Sequence, residues 1–249
     1  PKDELMFMAL GGIDRMKLNT DEEGEENEYL LSYLPVIRQE TYTLGASYKH
    51  YAGKHTTGVY LSHNYLNNRL TKYNDNDESS EENLRQRAKS TDQKTSLRVE
   101  NRTALGQWTW KQGAEGNYVQ HRNRTRQRIY TDMAGWTDYR TALGVWTWGV
   151  FTSLDYQSAN ERFSASAGLR TDAANLALMR NPLEQLSPRI SVRYALAPQW
   201  SVAANAGIFY QLPTGTALGY KDKNGTLANN RLKYQKVTSE SMGVSWRPS

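Results

Sequence analysis

The chain has 249 residues, a formal net charge of +5 and a mean hydropathy of -0.79. No stretch approaches the roughly 20 apolar residues that a spanning helix needs, so a helical membrane protein is excluded. Cysteine is absent, which excludes disulfides, cysteine-based zinc sites and thiol catalysis. The basic residues are spread through segments that also carry acids, and no recognition helix is visible, so nucleic acid is not a predicted partner.

The first half of the chain contains five strand-like segments, in which glycines and charged residues interrupt the alternation of apolar and polar side chains. They lie at residues 5–18, 40–51, 56–73, 94–105 and 108–130. Gly11, Gly12, Gly113 and Gly116 are interpreted as bulges or close-approach positions. A phosphate-binding loop is not predicted, because no helix follows these glycines.

The second half alternates more strictly, which indicates strands with one apolar and one polar face. Its five segments lie at residues 146–156, 162–172, 189–196, 200–212 and 232–246. In the fourth of them, Val202, Ala204, Ala206, Ile208 and Tyr210 share one side. That segment is longer than a typical globular strand and matches the roughly 9–11 residues of a tilted membrane-crossing strand plus an extension into water.

The predicted connections alternate in length. Short turns are expected at residues 52–54, 105–107, 158–161 and 197–199, and long loops at 19–35, 74–92, 173–187 and 213–231, with a shorter loop at 132–136. Tight turns on one rim and extended loops on the other are typical of bacterial outer-membrane barrels. Sixteen Tyr and seven Trp supply the aromatic girdles that such barrels carry at both interfaces. We therefore predict an all-β fold: a section of an antiparallel up-and-down transmembrane β-barrel with about ten strands, in contact with outer-membrane lipid.

Acidic and histidine residues give no catalytic or metal signature. The acidic runs at residues 21–26 and 74–78 lack EF-hand spacing, so solvated loops are favoured over a calcium site. The four histidines show no His-x-His or HExxH spacing, and no GxSxG elbow occurs. No catalytic residue, metal ligand or cofactor is predicted.

Four arginines, Arg122, Arg124, Arg126 and Arg128, are spaced two apart, so an extended chain projects all four from one side. Such a row suits an anionic ligand or the phosphates of lipopolysaccharide, since guanidinium groups bind phosphate bidentately. The alternative is a strand extension above the membrane whose charges pair with neighbouring strands, and this reading is favoured about two to one over ligand binding. With Tyr210 and Gln211 at the end of a long strand, these arginines are the candidate ligand-contacting residues.

Four segments carry a resemblance to a known family. They are RFSASAGLRTD (residues 162–172), SPRISVRY (187–194), AGIFYQLPT (206–214) and LKYQKVTSESMGVSW (232–246). Their order and spacing resemble the late barrel strands of TonB-dependent outer-membrane receptors, particularly those of Bacteroidetes. The resemblance implies import of a scarce nutrient, such as a metal chelate, vitamin or glycan, rather than enzymatic activity. It also implies an N-terminal plug domain inside a roughly 22-stranded barrel, energised through TonB.

The chain departs from the family pattern, because no plug, no TonB-box-like segment and fewer than half of the expected strands are visible. We therefore expect residues 1–249 to form part of an outer-membrane barrel domain, with transport belonging to the parent protein.

Two alternatives stay open. An omptin-like outer-membrane protease would be a closed ten-stranded barrel in which the first and last segments pair. A soluble β-rich binding module would bury Trp146, Trp148 and Val150 against a second sheet.

Overall fold

The structure is a computed structural model, and it describes residues 2–18, 24–129, 135–222 and 224–247. Ten β-strands pair in sequence order into a single antiparallel sheet. The strands are β1 (Asp3–Arg15), β2 (Val36–Ala52), β3 (His55–Tyr73), β4 (Leu84–Leu105), β5 (Trp108–Ile129), β6 (Gly135–Gln157), β7 (Phe163–Ala174), β8 (Ser187–Ala197), β9 (Trp200–Gln211) and β10 (Gln235–Trp246). The predicted all-β, up-and-down barrel-type architecture is confirmed. The sheet is open, since within the described residues β1 pairs only with β2 and β10 only with β9.

The alternation of short and long connections is also confirmed. Two-residue turns join β2 to β3 and β4 to β5, and each begins with a glycine at positive φ, Gly53 at 58° and Gly106 at 64°. Such turns match the right-handed twist of the strands that they connect. The long connections contain short helices, α1 (Glu25–Tyr33) between β1 and β2 and α2 (Gly215–Leu218) between β9 and β10. No helix in the described ranges is long and apolar enough to cross a membrane.

Part of the acidic run predicted at residues 21–26 forms the start of α1. Residues 21–23 lie outside the described part of the chain, whereas Glu25 and Glu26 occupy the first helical turn. Carboxylates are stabilised there by the positive end of the helix dipole. The second run folds into a 3₁₀ turn, in which the Asp77 side chain accepts hydrogen bonds from the Ser79 N–H and the Asn83 amide. These hydrogen bonds lower the pKa of the Asp77 carboxyl.

Two predicted strand boundaries are wrong by many residues. The loop predicted at 74–92 ends at Asn83, because β4 begins at Leu84, and β6 begins at Gly135 instead of 146. The predicted loop at 132–136 lies partly outside the described residues, and its last two residues belong to β6. The added part of β4 is almost all polar, so hydrophobic alternation carries no signal there. The added part of β6 contains Trp136, Leu143 and the buried Val145, but these apolar residues do not recur with a regular period of two.

Candidate functional site

The register of the sheet separates two faces with different chemistry. Opposite residues such as Leu61 and Leu97, Ala114 and Val150, and Ala167 and Ile190 bring apolar side chains to one face, called here the apolar face. On this face, Trp146 is 60% exposed and Met242 is 85% exposed. Large apolar side chains left uncovered in this way suit contact with lipid.

Aromatic pairs lie at both ends of the apolar face. Near the long-loop rim, Tyr42 stacks on Tyr65 with ring centroids 5.0 Å apart, and Tyr118 stacks on Trp146 at 4.5 Å. Near the short-turn rim, the ring of Trp108 lies 4.7 Å from that of Tyr156, and the rings of Trp200 and Trp246 are 6.1 Å apart. Tyr118 follows Trp108 by ten positions, which corresponds to about 25 Å for a strand tilted by about 40°. This separation equals the height of the apolar band of an outer-membrane barrel.

The opposite face, called the polar face, carries a chain of ion pairs whose members lie on three strands, β4, β5 and β7. Arg98 lies 2.7 Å from Glu100 and 3.8 Å from Glu115, and Arg170 lies 3.6 Å from Glu115 and 2.6 Å from Asp172. Opposite charges therefore alternate along the whole group. The arrangement is only partly buried and belongs to a hydrated surface rather than to a dry core.

Two further interactions extend the polar face. Tyr60 donates a hydrogen bond to Glu100, and Lys111 lies 2.8 Å from Asp155. The Arg98 guanidinium also stacks 4.4 Å above the Phe151 ring. A side chain on Gly113 would collide with that ring. Gly113 is therefore a close-approach position, as predicted, and the register of β4, β5 and β6 shows no bulge there.

Two long loops cover the upper end of the polar face and form a small core, called the loop cluster. Its buried members are Val145, Ala174, Met179 and Tyr234, and Tyr210, Leu212 and Leu218 are among the half-buried side chains that pack on it. Burial and the nearby Asp172 carboxylate raise the pKa of Tyr234 to about 12. The loop cluster joins the β7–β8 and β9–β10 loops to Val145, which lies on the polar face of β6.

The β9–β10 loop is also anchored to the polar face by a backbone contact and a buried histidine. Thr141 donates a hydrogen bond to the Gly219 carbonyl at 2.6 Å. Gly215, at the start of α2, packs directly on the ring of His121, which is 3% exposed and lies 2.6 Å from Asp92 through Nδ1. A side chain at position 215 would not fit over this ring.

The predicted ligand-contacting residues do not form a single site. Arg122, Arg124, Arg126 and Arg128 project from the face that carries Tyr118, so they point away from the polar face. Tyr210 is part of the loop cluster, and Gln211 is exposed opposite Gln235. Ligand contact by these residues stays a prediction.

Sequence reasoning missed the ion-pair chain, the His121–Asp92 pair and the loop cluster. Their members lie far apart along the chain, and strand register is what brings them together. The only sequence signal for the ion-pair chain is that Glu115, Arg170 and Asp172 occupy polar positions in strands that alternate between apolar and polar residues. The described residues contain no group of three or more His, Cys, Asp or Glu side chains placed to hold a metal ion.

Residues 13–249 match the family described as TonB dependent receptor-like, beta-barrel. The chain belongs to this family, whose members are transport receptors rather than enzymes and reside in the outer membrane of Gram-negative bacteria. No curated protein matches the sequence. Membership of the Bacteroidetes branch stays a prediction.

Solved structures of such receptors share the fold. A mutant of the ferric enterobactin receptor PfeA from Pseudomonas aeruginosa has a TM-score of 0.68 at 14% identity, covering 100% of this chain and 38% of that chain. The copper transporter OprC has a TM-score of 0.62 at 17% identity, with coverage of 86% and 39%. The ferric yersiniabactin receptor FyuA from Yersinia pestis has a TM-score of 0.54 at 11% identity, with coverage of 86% and 34%. The chain thus spans between about a third and two fifths of the length of these structures.

The two alternative folds do not agree with the structure. The omptin-like reading requires β1 to pair with β10, and no such pairing exists among the described residues. The soluble-module reading requires Trp146 and Trp148 to be buried against a second sheet, whereas they are 60% and 46% exposed. A single sheet with an uncovered apolar face contradicts both.

Proposed function

We propose that these ten strands form an arc in the outer-membrane barrel of a TonB-dependent receptor that imports a scarce nutrient. The supporting observation is the division of one continuous sheet into an apolar face with two aromatic girdles and a polar face with ion pairs. In this arrangement, the apolar face meets the lipid and the polar face lines the lumen. The nutrient belongs to one of three classes: metal chelate, vitamin or glycan.

The free edges of β1 and β10 support an arc rather than a closed unit. An unpaired strand edge in lipid leaves N–H and C=O groups without partners, each at a penalty of several kcal/mol. Further strands of the parent protein would pair with both edges. Residues 1–249 then form one part of the barrel domain, and the plug and TonB act through the parent protein.

The polar face also suits contact with a plug domain. The charges of Arg98, Glu115, Arg170 and Asp172 are already paired within the sheet, so a plug can pack on this group without leaving any of these four charges unpaired. The Arg98–Glu115–Arg170 group lies between the two girdles, at the depth where a plug occupies the lumen.

The nutrient would enter past the loop cluster. Gln211 is exposed beside this cluster and offers an amide that both donates and accepts hydrogen bonds. Tyr210, at the same strand end, packs against the loop cluster. Nutrient binding is therefore proposed at Tyr210 and Gln211, at the long-loop rim of the sheet.

Deletion of the parent gene tests this function. The deletion strain should fail to grow when one nutrient of the three classes is scarce, and the intact gene should restore growth only when TonB is present. Uptake of the labelled nutrient should weaken in a Gln211→Ala variant, while the exposed loop variant Asn224→Ala retains uptake. Undiminished growth on limiting metal chelates, vitamins and glycans alike would contradict the proposal.

A further inference from the structure

The apolar face carries a carboxylate among side chains that are suited to lipid. Glu240 lies on β10 directly opposite Ala206 of β9, and the same row continues through Ile190, Ala167 and Leu154 on β8, β7 and β6. All four of these neighbours are apolar. An acidic side chain on such a face is costly, and ionisable residues within membrane-spanning segments pair with one another.

The position of Glu240 along β10 places its carboxylate well inside the apolar band. Trp246 marks the short-turn girdle on the same strand and lies six positions after Glu240. For a strand tilted by about 40°, six positions correspond to about 15 Å. Because the band is about 25 Å tall, about 10 Å separates Glu240 from its upper boundary. The glutamate side chain is too short to reach water at either boundary.

The described segments supply no partner for this charge. Within residues 2–18, 24–129, 135–222 and 224–247, Glu240 forms neither an ion pair nor a side-chain hydrogen bond, whereas the next residue, Ser241, accepts a hydrogen bond from Asn205 on the polar face at 3.3 Å. Lys236 shares the face of Glu240 but lies four positions away, about 13 Å along the strand. An ion pair requires a separation of about 4 Å or less. A partner for Glu240 must therefore come from outside these segments.

The free edge of β10 shows from which side this partner comes. On the β9 side, Ala204, Ala206 and Ile208 line the same face and offer no side-chain hydrogen-bonding group. On the other side, β10 has an unpaired edge, where the proposed barrel requires a further strand. In an antiparallel pair, a residue of that strand lies opposite Glu240 with the two Cβ atoms about 4.5–5.5 Å apart.

We propose that the parent strand which pairs with β10 carries a lysine or an arginine on its apolar face, opposite Glu240 or diagonal to it. The two charges form an ion pair inside the band, where the low dielectric strengthens their attraction. A slip of one residue turns the cation towards the lumen and leaves both charges unpaired, so the pair fixes the register of the two strands. A second copy of the chain does not suit this edge, because a two-fold axis there brings two Glu240 carboxylates together. The inference rests on the lipid-facing orientation proposed above.

Urea unfolding of the full-length receptor in phosphatidylcholine vesicles tests the ion pair through the sign of one substitution. With a cation opposite, Glu240→Leu leaves that cation alone in hydrocarbon, and the urea midpoint should fall by about 1 M or more. If Glu240 faces only lipid, the same substitution removes a polar group, and the midpoint rises. The control variant Thr238→Leu lies on the same face of β10 and should not lower the midpoint in either case.

Disulfide formation locates the partner while Glu240 stays in place. After replacement of any cysteine elsewhere in the receptor, Met242→Cys is combined with single cysteines along the adjoining strand. The position that forms a disulfide most readily lies opposite Met242, and the residue two positions further along that antiparallel strand lies opposite Glu240. A lysine or arginine is expected there or two positions to either side, and its replacement by leucine together with Glu240→Leu should restore the midpoint. The absence of a basic residue at these positions, or an unchanged or raised midpoint in Glu240→Leu, would overturn the inference.

Leu154→Lys separates a failure of the ion pair from a failure of the proposed orientation. Leu154 lies on the same row as Glu240 but four strands away, at about 19 Å, so a lysine there cannot pair with Glu240. This lysine should lower the midpoint if the apolar face meets lipid, whatever the partner of Glu240. A fall in Leu154→Lys combined with a rise in Glu240→Leu overturns the ion pair alone. An unchanged midpoint in Leu154→Lys overturns the orientation and the ion pair together.

Discussion

Val150 offers a sharp test of the orientation of the sheet. It lies on the apolar face of β6 between Trp146 and Tyr156, near the middle of the band that the aromatic girdles define, and it is 45% exposed. In a Val150→Arg variant, a guanidinium group enters the hydrocarbon near its midplane. The expected loss in the free energy of unfolding is about 2–4 kcal/mol. Urea titration of the intact receptor in phosphatidylcholine vesicles measures this loss.

Ser153 provides the matched control. It lies three positions further along β6, on the polar face, where the lumen keeps an added arginine hydrated. A Ser153→Arg variant should therefore change the free energy of unfolding by less than about 1 kcal/mol. If both variants lose the same stability, or Ser153→Arg loses more, the assignment of the two faces is refuted.

Three further predictions concern the polar face and the loops. Glu115→Gln removes the carboxylate shared by Arg98 and Arg170 and should lower the free energy of unfolding by about 1–3 kcal/mol, whereas Glu161→Gln in an exposed turn should not. Met179 is fully buried, so Met179→Ala should weaken the loop cluster by about 2–5 kcal/mol and speed proteolysis of the loop at residues 175–186; the half-exposed Leu178→Ala is its control. The Tyr234 pKa is raised from its ordinary value of about 10 to about 12, so the docked loops bind more protons than the undocked loops between these pH values. Their stability is fully present below pH 10 and should fall by about 2–3 kcal/mol as the pH rises through 12. Proteolysis of the loops against pH measures this fall, which Tyr234→Phe should abolish.

Period-two alternation predicts the strands best where one face is apolar and the other is polar or carries small residues. In β9, Val202, Ala204 and Ala206 alternate with polar or small residues, and the predicted segment at 200–212 differs from the observed strand by a single residue. The turn glycines Gly53 and Gly106 are equally informative, because the backbone at both positions requires positive φ. Strand order then follows from short turns between neighbours.

Strand extensions and long-range contacts are beyond the reach of the same reasoning. The first ten residues of β4 are almost all polar, so the alternation of apolar and polar side chains disappears there. The alignment of Arg69, Lys89 and Arg124 on three neighbouring strands cannot be recognised before the register is known, since these residues are far apart in the sequence. The period-two spacing of the arginines in β5 is visible in the sequence, but the sequence does not show from which face of the sheet these side chains project.

A cysteine scan along β6 tests most directly whether the apolar face meets lipid. Residues 1–249 contain no cysteine. After replacement of any cysteine elsewhere in the intact receptor, single spin labels can be placed at each position from Trp146 to Tyr156, and the labelled receptor can be studied in vesicles. Labels at even positions should be accessible to oxygen dissolved in lipid, and labels at odd positions to a water-soluble nickel complex, in strict alternation. Uniform accessibility along the strand, or alternation with the opposite phase, would contradict the account.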